Sequence, residues 1–158
     1  MAGIGNLFFG DDGFGPEVVG RLVAQEALPE QVRVVDYGIR GMHLAYDLLD
    51  GYDALVLVDA LPVGEAPGDV TVLQVGEEDL GSADFDPHGM NPVAVLGSLN
   101  QLGGQLPPTY VVGCRPQNVE EGIGLSEPVA AAVPQTVALV QSLLGELLGD
   151  LLGERVVV

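Results

Sequence analysis

The run Ala54-Leu55-Val56-Leu57-Val58 is apolar at every position and ends on Asp59. A strand with one wet face alternates apolar and polar residues; this one does not, so both of its faces must be covered. Unbroken strands of this kind belong to parallel sheets packed between helices. A carboxylate placed directly after such a strand is partly buried, and it then needs a partner or a metal. The plainer alternative is a turn-forming Asp bonded to nearby backbone N–H groups.

The rest of the chain alternates in the same sense. A short apolar start (1–4) enters a glycine-rich turn, and residues 16–28 read as a helix with Pro16 in its first turn and Val18, Val19, Leu22 and Val23 on one face. Residues 32–37 (VRVVDY) read as a strand, and 42–49 as a short helix stopped by Gly51. After a Pro/Gly loop, 70–75 is a β-branched edge strand, 76–87 an acidic loop, 92–102 a helix and 109–113 (TYVVG) a second buried strand. Residues 127–152 have helical apolar spacing, with a kink or break expected at Pro134. No internal repeat, low-complexity tract or linker interrupts this order. The chain therefore reads as one three-layer α/β domain over 1–158, with a mostly parallel sheet of about five strands.

Charge narrows the function classes. There are 23 acidic residues against five basic ones, a formal net charge of −18, and every basic residue is arginine. Such a surface repels phosphate backbones, so neither nucleic acid nor an anionic membrane is expected as a partner. Without lysine, P-loop and Schiff-base chemistry are excluded. No uninterrupted apolar run approaches the ~18–20 residues that cross a bilayer. The start MAGIGNLFFGDDG lacks the basic segment of a secretory signal, and the single cysteine, Cys114, permits no internal disulfide; the expected location is cytoplasmic.

In open parallel sheets the carboxyl ends of the strands form the binding crevice. Three metal-competent side chains fall at strand-to-loop boundaries: Asp12 in GIGNLFFGDDGFGP, Asp59, and His88 in FDPHGMNP. Together they would form an O,O,N site suited to nickel, zinc, cobalt or iron. Asp11 and Asp12 are also candidate helix caps, although either placement of the helix start leaves one carboxylate spare. Asp36, ending VRVVD, lies at the same edge and could complete the site, orient a water or cap its loop. His43 reads as a solvent-facing or packing residue.

Competing chemistries fit less well. Gly3-Ile4-Gly5 opens like a dinucleotide fingerprint, but Phe8 stands where the third glycine belongs, and the two aspartates would repel a pyrophosphate. None of Ser82, Ser98, Ser126 and Ser142 lies in a G-x-S-x-G elbow. Cys114 follows a buried strand; a pairing with His88 is conceivable, but a small core residue is the simpler account.

Taken in order, GIGNLFFGDDGFG, VVDYGIRGM, LVLVDALPVGEAPG, DPHGMNPVAVL and VVGCRPQNVEEGIGLSEPV resemble the hydrogenase maturation proteases over nearly the whole chain. The resemblance implies an α/β/α sandwich around a twisted, mostly parallel sheet. It also implies an endopeptidase that removes a C-terminal extension from the large-subunit precursor of a nickel–iron hydrogenase after nickel insertion. The nickel would be supplied by the precursor, with Asp12, Asp59 and His88 as its ligands and Asp36 associated with the site as a candidate base. A monomer engaging a large precursor is the simplest arrangement. The rival reading is a non-catalytic metal-binding or chaperone module on the same fold. Three departures stand out. The loop Tyr37-Gly38-Ile39-Arg40-Gly41 differs from the Gly/Thr-containing version of many relatives, which implies a different choice of precursor. Only Met1 and Ala2 precede Gly3, so the first strand reads as truncated and its pairing as incomplete; and Asp12 replaces the Glu of many relatives, which requires the backbone to come about one methylene closer.

Overall fold

The computed structural model describes residues 1–25, 28–80 and 92–151. In chain order it contains β1 (Ala2–Ile4), a 3₁₀ turn (Gly10–Gly13), α1 (Phe14–Ala24), β2 (Val35–Gly38), α2 (Gly41–Leu48), β3 (Leu55–Ala60) and β4 (Val70–Val75). These are followed by α3 (Glu77–Leu80), α4 (Pro92–Gln101), β5 (Thr109–Cys114) and α5 (Glu127–Leu151). The strands form one five-stranded sheet in the order β2-β1-β3-β5-β4. Every pairing is parallel except β4 with β5.

Two cores, one on each face of the sheet, explain why β3 is apolar throughout. Val56 and Val58 pack with Phe14, Val18 and Leu22 of α1 and with the buried stripe of α5. Leu55 and Leu57 point the other way, against Leu44 and Leu48 of α2 and Leu96 and Leu99 of α4. The expected sandwich of helix, sheet and helix is therefore present. β4 is the antiparallel edge, with Val72 and Leu73 exposed.

β1 is only three residues long, yet it pairs on both sides: Ala2 and Gly3 lie level with Val35 and Asp36 of β2 and with Leu57 and Val58 of β3. The short strand thus occupies the middle of the sheet with neighbours on both edges, but it pairs only two residues with the six-residue β3, in keeping with the incomplete pairing expected of a short first strand. Its shortness also delays the start of β2, which begins at Val35 instead of position 32, where Val35 N–H reaches Met1 O at 3.1 Å.

Three other expectations need correction. α1 begins at Phe14, two residues early, with Gly13 as a cap that offers no side-chain bond. The acidic stretch after β4 contains the short helix α3 where a loop was expected. α5 runs unbroken through Pro134. Pro134 is exposed, while Val129, Ala132, Val133, Thr136, Val137, Val140 and Leu144 are buried, so packing on both sides of the proline keeps the helix continuous. The backbone bond that proline forfeits lies on the wet side, where water can replace it. At 25 residues and a mean hydropathy of 1.3, α5 is long and apolar enough by composition to cross a bilayer, which a search for uninterrupted apolar runs misses. Here its apolar stripe is packed against β5 and α1.

Candidate active site

The strand order reverses between β1 and β3: β1 leads through α1 to β2 on one side, while β3 lies on the other. At such a switch point the loops leave in opposite directions and open a crevice beyond the carboxyl ends. Asp12, in the turn after β1, and Asp59, at the end of β3, are the carboxylates that border it.

Two glycines let the backbone close up here. A Cβ on Gly15 would strike the carbonyl oxygens of Ile4 and Val58, so only glycine allows the first turn of α1 to seat on the ends of β1 and β3. Gly5 has φ +146°, and a Cβ there would overlap the Asp12 carbonyl oxygen. The chain leaving β1 therefore lies directly under the turn that carries Asp12.

Asp59 is 3% exposed. Burial pushes its carboxyl well above the usual range, and the nearby charge of Asp12 pushes it further; a backbone hydrogen bond from Ala60 opposes the rise. Asp12 is half-buried and its Oδ2 accepts the Asn6 N–H at 2.8 Å. The two carboxylates are close enough to repel. Such a pair is relieved by a proton shared into the site or by a cation. Among the described residues, no group of three or more His, Cys, Asp or Glu side chains converges. His88 lies outside the described residues.

Asp36 sits at the same end of the sheet but not beside the pair. It is level with Gly3, and β1 separates its strand from β3, so the two strands lie about 10 Å apart. It also leaves β2 on the face opposite Tyr37, whereas Asp59 shares the face of Leu55 and Leu57, which pack in the same cluster as Tyr37. Its Oδ1 accepts the Gly38 N–H at 2.8 Å. Gly38 O in turn accepts the Gly5 N–H at 3.0 Å, which links Asp36 to the Asp12 turn through backbone alone.

Asp11, considered above only as a helix cap, has a different role. Its carboxylate is fully buried and accepts the N–H groups of Gln117, Asn118 and Ser126 and the Ser126 hydroxyl, at 2.7–2.9 Å. Burial would raise its carboxyl, but the bonds from Asn118, Ser126 and Gln117 outweigh it and hold the group below the ordinary range. The partners are more than a hundred residues away in sequence, so no local pattern signals them. Asn6 and Gly5 were missed for a similar reason: their contribution is made by the backbone.

Among the described residues the nucleophile alternatives gain no support; Ser82, like His88, lies outside them. Cys114 is buried in the core, and burial, then the charges of Asp11 and Asp69, push its thiol up to about 11. Ser98 is spent on the Ala94 carbonyl and Ser126 on Asp11. His43 is exposed on α2, as expected of a solvent-facing residue.

The chain also resembles proteins already known. The family profile described as hydrogenase maturation protease matches residues 16–143. A protein of Methanocaldococcus jannaschii provisionally named a hydrogenase maturation protease is 34% identical over 145 residues, spanning 89% of this chain and 92% of that protein. Among solved structures, the hydrogenase 2 maturation peptidase from a Thaumarchaeota archaeon is 32% identical with a TM-score of 0.69, covering 91% of this chain and 96% of that one. The hydrogenase maturating endopeptidase HybD of Escherichia coli is 29% identical with a TM-score of 0.76, covering 92% and 90%.

Proposed function

From its membership of the hydrogenase maturation protease family, which the match over residues 16–143 establishes, we infer that this chain is the peptidase that trims a hydrogenase large-subunit precursor at its C-terminus. The observation that carries the chemistry is the Asp12–Asp59 pair: two carboxylates in mutual repulsion, one buried, at the switch point of a parallel sheet. Among the described residues, neither carboxylate forms an ion pair with a basic side chain. A divalent nickel ion carried in by the precursor would supply positive charge, and such a hard-to-borderline cation suits carboxylate and imidazole donors.

In this reading the nickel is part of the substrate. Asp12 and Asp59 hold it, with His88 as third ligand. Asn6 N–H fixes Asp12 through Oδ2, which leaves Oδ1 for the cation. The cation's charge would offset the burial and the Asp12 repulsion that raise the Asp59 carboxyl, and so favour its carboxylate form. When bound, the metal supplies positive charge that polarises a carbonyl or a water. Water adds across the scissile amide, the carbonyl side leaves as a carboxylate and the nitrogen departs as an amine. Because the centre is completed only by loaded precursor, unloaded precursor is left uncut, and nickel insertion becomes the checkpoint. The same reading takes the reaction to the cytoplasm.

The test is incubation of the purified protein with large-subunit precursor, with and without nickel, followed by mass spectrometry. Loss of a C-terminal peptide from the loaded form alone is expected. Equal cleavage of both forms would overturn the nickel checkpoint. Binding without cleavage of either would favour a metal-binding or chaperone module.

A further inference from the structure

Two loops that flank Asp12 are bolted together and present an apolar lip. Gly10 N–H reaches Gly122 O at 2.9 Å, Gly122 N–H reaches Phe8 O at 2.8 Å, and Asp11 N–H reaches Asn118 O at 2.9 Å. Asn6 and Asn118 brace the same loops, their side-chain oxygens accepting the N–H groups of Phe8 and Glu120. The lip is therefore shaped in advance. Yet its large apolar side chains face solvent: Leu7 is 50% exposed, Phe8 63%, Val119 51% and Ile123 83%. Beneath them, Leu7, Ile123, Leu125 and Val133, with the paired Glu17 and Arg21 at its wall, line a cavity of about 260 Å³, enough for a bulky side chain. Contiguous exposed apolar groups held by well-bonded backbone mark an interaction surface.

Charge identifies the kind of partner. Glu120 and Glu121 are exposed between Val119 and Ile123, and neither forms an ion pair among the described residues. A segment that buries apolar side chains on the lip while setting Lys or Arg beside those glutamates would match both features. The lip is also continuous with the centre: Phe9 directly precedes the 3₁₀ turn that carries Asp12, and Phe9 O accepts the Asp12 N–H at 3.1 Å. Whatever covers the lip is delivered to that carboxylate.

We propose that the Leu7–Phe8 and Val119–Ile123 lip is the docking surface for the large-subunit precursor, taking a segment of bulky apolar side chains flanked by basic ones. This rests on the proteolytic reading above for the partner's identity. The lip holds the precursor, while the Asp12–Asp59 pair performs the chemistry, so the two are separable by mutation.

The experiment uses the full chain carrying Ile123→Ser, Phe8→Ser with Ile123→Ser, or Glu120→Gln with Glu121→Gln. Val23→Ser, an exposed apolar position on α1, is the control. Precursor affinity is measured by biolayer interferometry, cleavage of nickel-loaded precursor by steady-state kinetics, and folding by thermal melting. The lip variants should weaken binding and raise KM by about tenfold or more, the loss expected when an apolar anchor is truncated, with kcat within about twofold and melting unchanged. The glutamine pair should bind more weakly at low salt and lose part of the salt dependence. If wild type binds precursor but never cuts it, the proteolytic reading fails, and the affinities alone judge the lip. Wild-type affinity in both lip variants, or no binding of precursor by the wild-type protein, overturns the proposal.

Discussion

Asp11 grips Ser126 twice: Oδ1 accepts its backbone N–H at 2.7 Å, and Oδ2 accepts its hydroxyl at 2.8 Å. The 3₁₀ turn that displays Asp12 is thereby tied to the residue just before α5. With the two further bonds from Gln117 and Asn118, the carboxylate is saturated and needs no cation. Two adjacent aspartates have thus been divided by the fold into a structural one, Asp11, and one turned toward the crevice, Asp12.

Asp11→Ala should cost about 3–5 kcal/mol in urea denaturation, because buried N–H groups lose a charged partner. The pH dependence has a definite sign. A carboxyl held below its ordinary value adds stability that is fully present above the unfolded value of about 3.9, and that is lost as pH falls through the lowered value. Wild type should therefore lose stability on acidification below about pH 4, and the variant should lose less. Parallel acid titrations of melting temperature would show it; equal slopes would contradict the assignment.

Asp59 carries the opposite sign. Its folded carboxyl is raised, so the unfolded chain releases the proton first, near pH 3.9, and stability declines as pH rises from there through the folded value. Asp59→Asn removes that cost. At neutral pH it should melt higher than wild type while processing falls by at least about a hundredfold, the trade expected when stability is given up for a reactive site. A lower melting point at neutral pH would show that the carboxyl is not under the stated repulsion.

Gly5→Ala tests the backbone under the turn. The new Cβ would have to displace the Asp12 carbonyl and the residue would sit at φ +146°, a conformation disfavoured by about 1–3 kcal/mol for non-glycine residues. Reduced stability together with lost processing is expected. Unchanged processing would mean that the turn can relax without moving Asp12.

For Asp36, asparagine and alanine separate two roles. The asparagine oxygen can still accept the Gly38 N–H, so Asp36→Asn should keep kcat within a few-fold of wild type if the residue works by holding its loop. Asp36→Ala should lose more. A general base would behave differently, with asparagine costing about 10²–10⁴ in kcat.

Pro134→Ala should stabilise the protein. The proline is exposed within a continuous helix, and alanine restores a backbone bond and relieves a clash worth up to about 3 kcal/mol. Denaturant midpoints would register the gain; a loss would mean that the proline ring is itself packed.

Much of this architecture was legible in the residues. The unbroken apolar run 54–58 demanded a strand covered on both faces, and β3 divides its side chains between two cores as required. The alternation of elements implied a parallel sheet, and the motif series implied the family. Boundaries were less legible: β2 starts late because the three-residue β1 limits where it can pair, and α5 ignores Pro134 because burial on either side outweighs one missing bond.

What the sequence determined by itself was local: period, burial and charge, each set by neighbours a few residues away. It placed Asp59 at a strand end because a carboxylate after an apolar run has nowhere else to go, and Asp12 in the glycine-rich turn that follows the first strand. Which carboxylates meet was decided only in the tertiary structure. β1 between β2 and β3 sets Asp36 about two strand spacings from Asp59, and the loop before α5 takes Asp11 out of the crevice. Those partners are separated by tens to more than a hundred residues, so their encounter depends on strand order and loop docking, to which local sequence pattern is blind.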